Sequence, residues 1–122
     1  MILRPATIDD LAAMIGPGAE VLQRISRAIP GMTVDIQSTA EALARLLTSD
    51  QACVFVVERN GKLLGGIGGT LTVEPFAGNA PMLVQHFLWA IPGHLAGAIG
   101  SRLIRAFEGW GASRGAAFCV LA

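Results

Sequence analysis

Apolar positions change period twice along this chain. After Thr7, which reads as a helix N-cap with Asp10 in the capping-box position, Leu11, Met14 and Ile15 recur at helical spacing. Gly16-Pro17-Gly18 reads as the stop of that helix. Leu22, Ile25 and Ile29 then mark a second helical segment, closed by Pro30-Gly31. Ser38-Thr-Ala-Glu41 is a capping box and predicts a helix to about Thr48, with Leu43, Leu46 and Leu47 facing inward. The period then shortens. Cys53-Val-Phe-Val-Val57 is a strand, Asn60-Gly61 signals a type I′ turn, and Lys62 to Val73 is the returning strand. A loop over residues 74–81 leads to a strand from Met82 to Ile91. Helical spacing returns with Ile99, Leu103, Ala106, Phe107 and Trp110, and Gly115 ends that helix. Ala116 to Leu121 is a last strand. With a short first strand over residues 2–6, the order is β-α-α-(α)-β-β-β-α-β, which predicts an α/β fold: a mixed sheet with helices on both faces.

Bulk properties narrow the function classes. At 122 residues, the chain is predicted to form one domain over 1–122. Hydrophobic residues make up 52% and charged residues 15%, which excludes disorder and favours self-association. Basic and acidic residues number 9 each, so there is no cationic excess to neutralise nucleic-acid phosphates. Cys53 and Cys119 lack ligand-like spacing, two histidines eight apart make no zinc site, and no metal is expected. Pro75 to Ser101 holds no charged residue, yet Asn79, Gln85, His86 and His94 interrupt it, so a membrane span is not expected. The N-terminus lacks a signal-peptide core, and the expected location is cytoplasmic.

The stretch from His86 to Trp110 carries the candidate chemistry. A strand, a loop of small residues and a helix N-terminus follow in that order. Such a loop presents backbone N–H groups, and the helix dipole adds roughly half a positive charge. A pyrophosphate fits there without a basic side chain. Gly65-Gly-Ile-Gly-Gly69 is a different case. It lacks a Walker lysine and dinucleotide spacing, so it reads as a strand kink or a close-approach site, or as simple packing within the hairpin.

Several segments resemble the GNAT family of N-acetyltransferases. Leu3-Arg-Pro-Ala-Thr-Ile-Asp-Asp10 is similar to the family's first strand and helix start, and Val56-Val-Glu-Arg-Asn-Gly-Lys-Leu-Leu-Gly-Gly66 to its second and third strands. The family's pyrophosphate motif, Pro-x-x-Arg/Gln-x-x-Gly-x-Gly/Ala, has the frame of Pro92-Gly-His-Leu95-Ala-Gly-Ala98-Ile-Gly100. Leu95 stands in place of the Arg or Gln, and Ala98 in place of the middle glycine. Loss of the arginine removes a charge-assisted contact worth about 1.5–3 kcal/mol. Leu103 to Trp110 and Arg114-Gly-Ala-Ala117 resemble the family's third helix and fifth strand. Small bacterial and phage-type members are the most similar, and the sheet is expected to stop after the fifth strand.

The resemblance implies an acetyl-CoA-dependent N-acetyltransferase acting on a primary amine of a small molecule or peptide, with acetyl-CoA as co-substrate. It implies that Leu88, Trp89 and Ala90 offer backbone groups to the pantetheine and carbonyl, and that Ala96, Gly97, Ala98, Ile99, Gly100 and Ser101 hold the pyrophosphate. Arg102 or Arg105 would reach a ribose phosphate, or simply lie on a solvated face. His86 is either the general base or a strand histidine bonded to a carbonyl. Glu74 is a second base candidate, or a surface carboxylate, and His94 a phosphate contact or a solvated loop residue. The chain has no tyrosine to serve as the family's general acid, which leaves Cys119 or water. The alternatives are a catalytically weak CoA-binding domain and an assembly domain of the same fold. An apolar last strand over residues 117–122 predicts a homodimer.

Overall fold

The Asn60–Gly61 turn, where both residues take positive φ (52° and 77°), folds β2 (Ala52–Arg59) back on β3 (Lys62–Glu74). In the computed structural model, residues 1–121 are described, with side chains for all but positions 18, 21, 22 and 25. β1 (Ile2–Pro5) pairs antiparallel with β2, and β4 (Ala80–Ala90) antiparallel with β3. β5 (Phe118–Val120) lies parallel to β4, so the connection between them crosses over through a helix. The described sheet has five strands in the order β1-β2-β3-β4-β5.

Three helices cover the two faces. α1 (Leu11–Ala28) and α2 (Ile36–Thr48) lie over Val54 and Val56 through Met14 and Leu43. α3 (Ala96–Ser113) lies on the opposite face, where Ile99, Leu103 and Phe107 are fully buried against Val57, Ile67 and Leu83. The expected mixed sheet with helices on both faces is the fold observed.

Two expected helix boundaries fail. Gly16-Pro17-Gly18 does not stop α1, which runs unbroken to Ala28. A proline in a helix interior costs about 3 kcal/mol, so the sequence signal was sound and the tertiary context overrode it. The proposed apolar face of Leu22 and Ile25 lies outside the described side chains, while Ile29 is the exposed C-cap. α2 starts at Ile36, ahead of the Ser38 box. Its N-cap is Asp35, which accepts from the Gln37 N–H (3.0 Å) and the Ser38 hydroxyl (2.7 Å). Both interactions hold the Asp35 carboxyl below its ordinary value, with the Ser38 bond the larger cause.

At the start of the chain, Asp10 accepts from the Thr7 N–H (2.8 Å), as the capping position predicts. It also takes a two-pronged bond from Arg4, 2.8 Å on each oxygen, and Arg4 reaches Glu58 on β2. The Arg4 bond holds the Asp10 carboxyl below the usual range. Its stabilising contribution is therefore present above the ordinary carboxylate value and is lost as pH falls through the lowered one.

The glycine-rich strand has a clear physical role. A Cβ on Gly65 would come within 2.6 Å of Ile99 and one on Gly66 within 2.8 Å of the Trp89 indole nitrogen. On Gly68 it would strike the Phe87 ring. Gly65 thus admits α3, while Gly66 and Gly68 leave room for two aromatic rings on the α2 side.

Candidate active site

β4 is paired on both sides only over its first half. β5 runs beside it from Met82 to Val84, and from Gln85 to Ala90 no described strand lies on that side. The Ile91 N–H donates to the Leu64 carbonyl (2.9 Å). Alternation along an antiparallel pair then turns the Trp89 peptide groups toward β3 as well. Those of Leu88 and Ala90 face the open side. Of the three residues expected to offer backbone groups, Trp89 therefore does not; its contribution is a buried ring over Gly66.

The open edge leads to the N-terminus of α3. Gly93, at φ 137°, turns the chain in a conformation that L side chains rarely adopt. The Ala96 N–H donates back to Gly93 (3.2 Å) and the Ile99 N–H to Leu95 (2.9 Å). Gly100 and Ser101 lie within the i→i−4 ladder of α3. Among the described residues, the Gly97 and Ala98 amides are left without a partner, and both residues are exposed. The expected six-residue cradle is thus narrower: two free amides at the positive end of an 18-residue helix. Leu95, in the arginine position of the motif, packs its side chain onto the α3-side core instead.

On the other face of β4 lies a cavity of about 740 Å³, between α2, the connection that precedes it, and the strands. Thr70, His86, Phe87 and Trp89 line its sheet side, and Met14 and Leu43 its helix side. A β-bulge shapes that wall. Gly68 pairs with Phe87 but Gly69 pairs with Gln85, so His86 is the extra residue. The bulge lets sequence neighbours His86 and Phe87 both reach the cavity. His86 Nε2 lies 2.9 Å from the Thr70 hydroxyl, which fixes the ring.

No known family pattern matches the sequence, and no curated protein matches it. Solved structures do. The BH1408 protein of Bacillus halodurans, in a variant form, superposes with a TM-score of 0.85 at 16% identity, covering 100% of this chain and 82% of its own. An aminoglycoside acetyltransferase from an uncultured soil metagenomic sample gives 0.67 at 20% identity, covering 99% and 76%. The ribosomal-protein-alanine N-acetyltransferase of Brucella melitensis gives 0.66 at 16%, covering 99% and 79%. The chain has the GNAT acetyltransferase fold.

Within the GNAT fold, the structure brings His86, the Leu88–Ala90 edge and the α3 N-terminus onto one strand and the loop that follows it. Glu74 is not among them. It pairs with Ala80 at the far end of β4, six residues and about 20 Å from His86 along the strand. There it caps the 75–77 turn by accepting from the Phe76 N–H (3.0 Å). His94, Arg102 and Arg105 are exposed. Cys119 joins the α3-side core, where burial first and Glu108 second raise its thiol pKa. Burial pushes the Cys53 thiol up to about 12. Thr70 was not foreseen. Its only signal was a place on the returning strand, and the bulge hid which β4 residue it would face.

Among the described residues no cluster of metal-ligating side chains forms, and no helix is long and apolar enough to cross a membrane.

Proposed function

We propose that this chain is an acetyl-CoA-dependent N-acetyltransferase that acylates a primary amine. The observation that carries the reading is the half-paired strand β4. Its open peptide groups run from the His86 cavity to the free amides of Gly97 and Ala98. An extended arm ending in a diphosphate suits that path: strand-like bonds along the edge, then anion contacts at a helix end. When bound, acetyl-CoA supplies the thioester whose acyl group is transferred.

The chain's own groups do the rest. With Nε2–H donating to Thr70, His86 keeps its Nδ1 lone pair and accepts the proton of the incoming ammonium. The freed amine nitrogen bonds to the acyl carbon as the carbon–sulfur bond breaks. A main-chain N–H of Leu88 or Ala90 donates to the carbonyl oxygen as it gains charge. The sulfur leaves with the bonding pair, and the second proton of the amine nitrogen reaches it through water, since the sequence has no tyrosine. Two unpaired cysteines suit a cytoplasmic setting.

Calorimetric titration with acetyl-CoA tests the reading, followed by thiol release over a panel of amines. Binding without turnover would point to the weak CoA-binding alternative, and no binding would remove the proposal. Ala98→Pro gives a local check. Proline is tolerated in a first helical turn and removes one free donor. Acetyl-CoA affinity is expected to fall about tenfold, or 1.4 kcal/mol. An unchanged affinity would show that the phosphates lie elsewhere.

We further propose a homodimer through β5. It is one of the two described edge strands, β1 being the other, and its Phe118 and Val120 are 38% and 44% exposed. Such an edge readily pairs with a second copy. Sedimentation should give a dimer at micromolar concentration, and a stable monomer would rule this out.

A further inference from the structure

We infer that the cavity beside His86 selects an acceptor with a single amine on an apolar body, of the type of 2-phenylethylamine, and rejects polycations. This rests on the acetyltransferase reading for its role but has a binding test of its own. At about 740 Å³ the cavity is of small-molecule size. Its walls are largely apolar: Met14, Leu43, Phe87 and Trp89 stand around the one imidazole.

Charge decides the class. Among the described lining residues, Asp35 is the one carboxylate and Arg45 the one guanidinium. Asp35 is already engaged, since both of its oxygens accept bonds at the α2 N-terminus. Arg45 has no ion-pair partner among the described residues. A second or third ammonium on an acceptor would therefore lose water, face Arg45, and compete for an Asp35 that already holds the α2 N-terminus, which is unfavourable. A single ammonium avoids that penalty because the His86 ring nitrogen not bonded to Thr70 accepts a hydrogen bond from it. The rest of a monoamine then has an apolar wall to cover, and each methylene that leaves water tightens binding about fourfold.

The test uses the cavity's own tryptophan. Trp110→Phe leaves Trp89 as the sole indole, because the chain has two. 2-Phenylethylamine, isoamylamine, spermidine and an aminoglycoside are titrated against Trp89 emission without acetyl-CoA. The two monoamines are expected to bind at least about tenfold tighter than either polycation. Equal or tighter binding of the polycations, or no response to any amine, overturns the inference. Arg45→Glu should raise spermidine affinity about tenfold and leave 2-phenylethylamine within about twofold; no gain for spermidine overturns the role given to Arg45. Failure of the two proposals is separable. Monoamine preference with no acetyl-CoA binding in the calorimeter keeps this inference and removes the enzyme. Thiol release that prefers spermidine does the reverse.

Discussion

His86→Ala is expected to lower kcat by about 10²-fold or more while acetyl-CoA affinity stays within about twofold. The side chain is exposed on the cavity wall and carries none of the core, so the fold should survive its truncation. The amides assigned to the diphosphate lie beyond the Ala90 end of β4, in α3, which separates turnover from cofactor binding. Thr70→Val removes the 2.9 Å partner of Nε2 but keeps the imidazole. It should cost kcat about tenfold, because ring and tautomer are then held less firmly. Added imidazole should partly restore His86→Ala and not Thr70→Val. That contrast distinguishes a missing base from a disturbed wall. Full turnover in His86→Ala would exclude it as the base, and Glu74 could not simply replace it from the other end of the strand.

What was legible in the sequence follows the range over which each signal acts. Asn60–Gly61 needs nothing beyond its own φ preference, and the hairpin it predicts is there. The 3.6-residue spacing of Ile99, Leu103 and Phe107 reports burial directly, and all three are fully buried. Pro17 fails as a helix stop because a local penalty of about 3 kcal/mol is small against what tertiary contacts can supply. The site was harder to read for a different reason. Composition suggested an anion loop, but which amides stay free depends on where α3 starts, and it starts at Ala96, three residues before Ile99. The His86–Thr70 contact depends on a one-residue bulge in β4. A slip of one residue reverses every side chain, and periodicity alone does not locate it.

That bulge is also where the fold is most sensitive. Gly69→Ala is expected to destabilise the protein by about 3 kcal/mol, since overpacking a tight site typically costs 1–3 kcal/mol and this one meets backbone. The added Cβ would run into the Val84 carbonyl oxygen and come within 2.5 Å of the Phe107 ring. Phe107 is fully buried, so it has nowhere to go, and Val84 is held by β5 on its other side. In a domain of this size the loss should lower Tm by about 10–15 °C. Gly109→Ala is the matching control. Gly109 is exposed in α3 with open space around it, so alanine there should add about 0.5–1 kcal/mol from helix propensity. The strain at Gly69 can be relieved only by shifting β3 against β4 beside the bulge, which would move His86 off Thr70. Whatever Gly69→Ala protein folds should therefore lose turnover, whereas Gly109→Ala keeps it. Thermal melts with thiol-release assays on both variants decide the matter. A Gly69→Ala protein as stable and active as the parent would mean that the β3–β4 register at the bulge is not what positions the base.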